Sequence, residues 1–142
     1  MPPVTDPVSR RAGAWLVLRA ALAEIVTPLL MRLPARRITS LLAPLGPAAP
    51  EERAQEILDA VERAFRFHPV ERTCLTRGVP LCYLLRRSGF DVALAFGVGP
   101  EAGDWAGHCW LVRDGRPYLE RVDPAPHFAE LLTIPSPASA AK

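Results

Sequence analysis

Residues 73–88, TCLTRGVPLCYLLRRS, read as one helix carrying a thiol, Cys74, in its first turn. Thr73 stands where a hydroxyl can cap the helix, and Ser88-Gly89 stops it. A thiol at this position lies where the positive end of the helix dipole favours thiolate. Leu75, Val79, Cys82 and Leu85 share a face, so Cys82 reads as a small buried hydrophobe. Pro80 removes one backbone donor and crowds the turn before it, so a bend or a 3₁₀ first turn is expected. Arg86-Arg87, like Arg36-Arg37, reads as a solvated helix end.

Downstream of this helix, residues 91–98 (DVALAFGV) alternate strictly, as a strand does. Val92, Leu94, Phe96 and Val98 point one way. Ala93, Ala95 and Gly97 point the other, and this small face is expected to receive the Cys74 helix or a substrate. Residues 99–107 read as a loop, and 108–113 and 116–122 as two strands around Asp114-Gly115. His108 opens the first of these strands and Glu120 lies in the second. A thiolate paired to an imidazole is a nucleophile for acyl transfer, and a carboxylate can orient the imidazole. A two-residue turn would pair Arg113 with Arg116 and turn Glu120 away from His108. A three-residue loop with Gly115 in the left-handed region pairs Val112 with Arg116, Trp110 with Tyr118, and His108 with Glu120. The second register is expected, because the constellation works in it. Asp123 competes with Glu120 but falls on the opposite face and before a proline. Trp105, in the loop before His108, and Trp110 are candidate substrate-binding residues.

Upstream, residues 51–67 (EERAQEILDAVERAFRF) carry a buried stripe at Ala54, Ile57, Leu58, Val61 and Phe65. His68-Pro69 ends that helix, and His68 reads as a helix-end residue. The segment APLGPAAP at 43–50 reads as a linker or rigid turn. Residues 13–43 read as helical, with a break around Pro28 and Pro34. Their apolar run is interrupted by Arg19, Glu24 and Pro28, so an amphipathic arm docked on its own domain or a partner is expected, not an integral membrane span. Residues 1–12 read as a loose tail. The organisation is thus a tail, arm and linker at 1–50, a core domain at 51–135, and a disordered tail at 136–142.

The chain has 142 residues and a net charge of +2, enough for one core and too weakly basic to argue for nucleic acid. Three cysteines without a CxxC argue against a disulfide framework, and a reducing cytoplasm fits them better. Cys74, Cys82, His108 and Cys109 lack the paired spacing of a zinc site, so neither metal nor cofactor is expected.

The motifs CL-x-R at 74–77, LLRRSGF at 84–90, the strand ending GVG and G-H-x-W-L-V-x-D-G-x-P at 107–117 together resemble the lasso peptide biosynthesis B2 proteins. These are leader peptidases of the transglutaminase-like, papain-type superfamily, and the likeness covers roughly residues 51–132. The resemblance implies an α+β fold with a transglutaminase-like core. The catalytic cysteine would lie at a helix N-terminus on a small antiparallel sheet, with an N-terminal helical arm. It places the nucleophile on Cys74, the base on His108 and the third member, usually Asp, on Glu120. Cys109 stands where Ala is common. The implied substrate is a ribosomally made precursor peptide. The implied partners are a separate B1 leader-binding (RRE) protein, with the lasso cyclase as a further candidate. An acyltransferase of the same superfamily and a non-catalytic binding module are the competing readings.

Overall fold

The computed structural model describes residues 7–135, with side chains from residue 11 onward. The described elements are α1 (Pro7–Leu30), α2 (Ala35–Leu42), α3 (Glu52–Ala64), α4 (Cys74–Arg87), β1 (Val92–Glu101), β2 (Asp104–Arg113), β3 (Arg116–Pro117) and β4 (Ala129–Ile134). They form an α+β fold in which the helices precede an antiparallel sheet ordered β3-β2-β1-β4.

Helix α4 starts where its cap permits. Thr73 Oγ1 accepts from Thr76 N at 3.2 Å, and Thr76 Oγ1 accepts from Thr73 N at 2.8 Å. This is a capping box with threonine in the place usual for Glu or Gln. Arg77 N donates to Thr73 O at 3.0 Å, so the first turn is α-helical and the 3₁₀ alternative does not occur. Pro80 is buried inside the helix.

Helix α1 is longer than expected. It begins at Pro7, inside the stretch read as a loose tail, and runs through Pro28. A proline so near a helix end forfeits only one backbone bond. The chain breaks instead at residues 31–34, and Pro34 precedes α2. The loose tail expected over residues 1–6 and the disordered tail expected over 136–142 lie outside the described residues. Leu16, Ala20 and Ala21 of α1 join Ile57 and Val61 of α3 and Leu81 and Leu85 of α4 in one core. The arm is therefore built into that core. α3 ends at Ala64, three residues before the expected end, in turns closed by Arg66 N and Phe67 N.

Two polar residues read as helix ends lie inside. Arg86 is buried, not solvated. Its guanidinium donates to Leu42 O at 2.6 Å, Ala43 O at 2.7 Å and Val92 O at 2.7 Å. It thus satisfies carbonyls at the end of α2, which no helical bond can reach. His68 Nε2 meets Glu24 Oε1 at 3.0 Å, and both side chains are shut from solvent. This pair ties α1 to the turn after α3.

β1 and β2 pair along their whole length, from Val92↔Arg113 to Glu101↔Asp104. Ala102 and Gly103 turn the chain with φ of 51° and 83°. The expected loop at 99–107 is therefore a hairpin, because Ala-Gly takes the left-handed turn that matches sheet twist. β4 pairs with the other edge of β1, where no strand was read. α4 packs on the large face of the sheet, not the small one. A Cβ added to Gly78 would lie 3.0 Å from Leu94 Cδ1 and 3.5 Å from Cys109 Sγ. The small face receives Trp110 instead, whose Cη2 would be 2.7 Å from a Cβ on Gly97.

Candidate active site

The β2–β3 turn decides how the site is assembled. Asp114 and Gly115 both have positive φ, 53° and 75°, and Arg113 pairs with Arg116 and Val112 with Pro117. This is the two-residue turn. The expected three-residue register, with His108 opposite Glu120 and Trp110 opposite Tyr118, is overturned. Asp tolerates the left-handed region well enough for Asp-Gly to form the tighter turn. The expected strand at 116–122 shrinks to two residues, since Pro117 has no N–H to give and Leu119 turns at φ 56°.

That early stop leaves the outer edge of β2 without a strand, and side chains take its place. Glu120 Oε1 accepts from Leu111 N at 3.0 Å. Two residues along the same edge, the Cys109 N–H meets the Cys74 sulfur. The N-terminus of α4 thus meets β2 where its backbone donors are free.

Cys74, His108 and Glu120 all line one pocket of about 310 Å³, together with Arg77, Cys109 and Arg121. The Cys74 thiol is half-buried and is pulled down to about 5. The largest cause is a hydrogen bond from the Cys109 thiol, which outweighs the opposing effect of burial. The Cys109 N–H and His108 add to it. The same contact, with burial, pushes the Cys109 thiol up. Cys82 is fully buried and pushed up to about 12 by desolvation. At neutral pH Cys74 is therefore the thiolate of the three.

His108 is held by stacking. Its ring lies 4.8 Å from that of Phe128 and 6.0 Å from that of Trp110. Among the described residues no carboxylate hydrogen-bonds His108. Glu120 lies in the same pocket, but its Oε1 sits 3.6 Å from Arg77 Nη1 and on the Leu111 N–H. Asp123 is exposed and accepts from Ala125 N at 3.0 Å, which fixes the turn before β4. Neither Trp105, largely exposed, nor Trp110, buried behind the His108 ring, lines the pocket.

Two residues that single-residue reasoning passed over organise the site. Arg77 donates to Glu62 Oε1 at 2.7 Å and to Leu119 O at 3.0 Å, joining α4 to α3 and to the reversal that presents Glu120. Glu62 is buried enough to be raised, yet Arg72 and Arg77 hold it below the usual carboxylate range. The signal for Arg77 was its place one turn after Cys74, on the wall of the same pocket. Phe128 carried no such signal, because only the pairing of β4 with β1 brings it to His108.

A thiolate at a helix N-terminus, an adjacent imidazole and free backbone donors are the parts that acyl transfer needs. A family model described as the transglutaminase-like superfamily matches residues 11–133. No curated protein and no solved structure gives a significant match. The match runs from α1 into β4 and takes in Cys74 and His108, so the chain belongs to the transglutaminase-like superfamily, whose members are typically cysteine enzymes.

Proposed function

We propose that this chain is a cysteine peptidase that removes the leader from a ribosomally made lasso-peptide precursor, as the B2 proteins it resembles do. The observation that carries the reading is the Cys74 thiol, drawn to about 5 at the start of α4 beside His108. In this reading the Cys74 thiolate attacks the carbonyl that joins leader to core. The free N–H groups at the start of α4 stabilise the oxyanion. His108 protonates the leaving amine, and water then releases the acyl-enzyme. Glu120 acts as a positioning residue. By taking the Leu111 N–H it holds the edge of β2 on which Cys109 meets Cys74.

A separate B1 leader-binding protein brings the precursor, and the freed core passes to the cyclase, all in the cytoplasm. Support for a docked partner comes from α1. Trp15, Leu18, Leu22, Ile25 and Leu29 are exposed and spaced by three and four along one seam. The exposed charges on residues 11–42 are all arginine, since the one acid there, Glu24, is buried. Because α1 also supplies the core, the docking test is Leu22→Glu, not truncation. Unchanged B1–leader binding by that variant counts against this seam.

The decisive experiment mixes the chain with a precursor peptide and B1 and measures product masses, with Cys74→Ala as control. Cleavage at the leader–core junction that vanishes in Cys74→Ala supports the peptidase. A product that keeps the leader carbonyl joined to an added amine assigns an acyltransferase. An unaltered precursor leaves the non-catalytic binding module.

A further inference from the structure

The mechanism uses one sulfur, and the structure holds a second in the same pocket. Cys109 Sγ lies on the face of α4 that carries Cys74, since a Cβ added to Gly78, one turn after Cys74, would meet it at 3.5 Å. Both cysteines line the same pocket, so the pair is open to a small solute on one side. On the other side Cys109 is packed into the core with Leu94 and Leu111 and is held to one place. Cys82 is the third thiol. It lies eight residues beyond Cys74 on the same helix, about 12 Å along its axis, outside disulfide reach.

We propose that Cys74 and Cys109 form an oxidative modification site, at which a peroxide converts the two thiols into a reversible disulfide that caps the nucleophile. In the first step the Cys74 thiolate attacks one peroxide oxygen. An S–O bond forms, the O–O bond breaks, and the leaving hydroxide takes a proton to become water. Cys74 is then a neutral sulfenic acid. In the second step Cys109 Sγ attacks that sulfur. An S–S bond forms, the S–O bond breaks, and the second water leaves with the Cys109 proton. Two thiols lose two electrons in all, and one peroxide gains them. A dithiol reductant reverses the result.

Two features favour the second step over further oxidation. Cys74 and Cys109 already line one pocket at the start of α4, so closure draws together two neighbouring side chains. Its thiol is held up chiefly by its hydrogen bond to the Cys74 thiolate and by burial, and the first of these weakens once Cys74 is a neutral sulfenic acid. A low-pKa, accessible thiol beside a resolving thiol is the arrangement that reversible redox cysteines share. While the disulfide stands, no thiolate is free to attack a carbonyl, and the sheet edge and α4 are clamped together.

The test treats the full chain with dilute hydrogen peroxide, then unfolds it in urea with N-ethylmaleimide at mildly acidic pH to block remaining thiols, and maps peptides by mass. The expected result is a loss of two hydrogens, a Cys74–Cys109 linked peptide pair, an alkylated Cys82, and full return of the thiols with dithiothreitol. Cys82→Ala should behave as the parent does. Cys109→Ala should instead accumulate Cys74 carrying two oxygens, which dithiothreitol does not reverse. A parent chain that gains oxygens at Cys74 while Cys109 remains a free thiol overturns the proposal. So does a link that runs to Cys82 or between two chains. The readout is mass alone, so it is independent of whether the chain cleaves a precursor.

Discussion

Alkylation of Cys74 should follow a pH curve with its inflection near 5, and the magnitudes show which measurement can reveal it. The thiol is pulled from the ordinary 9.0 to about 5. At pH 7 that makes it about 99% thiolate, where an ordinary thiol is about 1%, a gain of roughly a hundredfold in the reactive form. Nucleophilicity falls with basicity, however. With a Brønsted slope of about 0.45, a pKa lower by about four weakens each thiolate by roughly sixtyfold. The two effects nearly cancel at pH 7, so a single rate at neutrality decides nothing. At pH 5.5 Cys74 is still about three-quarters ionised and a simple thiol about 0.03%, so Cys74 reacts roughly fortyfold faster. At pH 9 the order reverses by roughly thirtyfold. The assay is iodoacetamide labelling from pH 4 to 10, read at Cys74 by peptide mass so that Cys82 and Cys109 do not contribute. An inflection above pH 8 would mean that Cys74 is an ordinary thiol in the folded chain. The variants rank the causes. Cys109→Ala should raise the inflection more than His108→Ala does, because the Cys109 thiol gives the largest lowering. An unmoved inflection in Cys109→Ala would show that the two sulfurs do not interact.

Other outcomes follow from the fold around the site. Glu24 is raised from 4.5 to about 7 by burial, so its folded form prefers the proton. The stability this lends is complete below pH 4.5 and is lost as pH rises through 7, by at most about 3 kcal/mol. Urea melts of Glu24→Gln should therefore gain on the parent between pH 5 and pH 8, and parallel pH curves would count against it. Arg77→Met removes bonds to Glu62, Leu119 O and Glu120, and should destabilise by about 2–3 kcal/mol in denaturant melts. A loss under about 0.5 kcal/mol would mean that the network is only a surface feature. Gly97→Ala should cost about 1–3 kcal/mol, because its Cβ would come within 2.7 Å of both Ala129 O and Trp110. Since Trp110 stacks beside His108, the variant should also lower any Cys74-dependent turnover, and an undisturbed melt would argue that β4 yields freely.

Some of this molecule is written locally, and the sequence alone determined it. Helix α4, with Thr73 as its cap and Cys74 in its first turn, follows from a hydroxyl, an apolar stripe and a Ser-Gly stop. The stripe of α3 and the alternation of β1 follow from spacing in the same way, because each depends on neighbours within a few residues. The meeting of Cys74 with His108 was legible only as chain order joined to a resemblance. Tertiary structure decided the rest. Asp114-Gly115 can serve a two-residue or a three-residue turn, and the choice is made by sheet twist and by Pro117, which ends the pairing. That choice turned Glu120 from a partner of His108 into an acceptor for Leu111 N. Arg86 looked solvated because nothing near it in sequence shows that the carbonyls of α2 would converge on it. Glu24 and His68 meet across 44 residues only because α1 folds back on α3 and α4. Cys109 shares a pocket with Cys74 because the N-terminus of α4 abuts the free edge of β2. Such contacts are set by how whole elements pack, and no window of the sequence contains both partners.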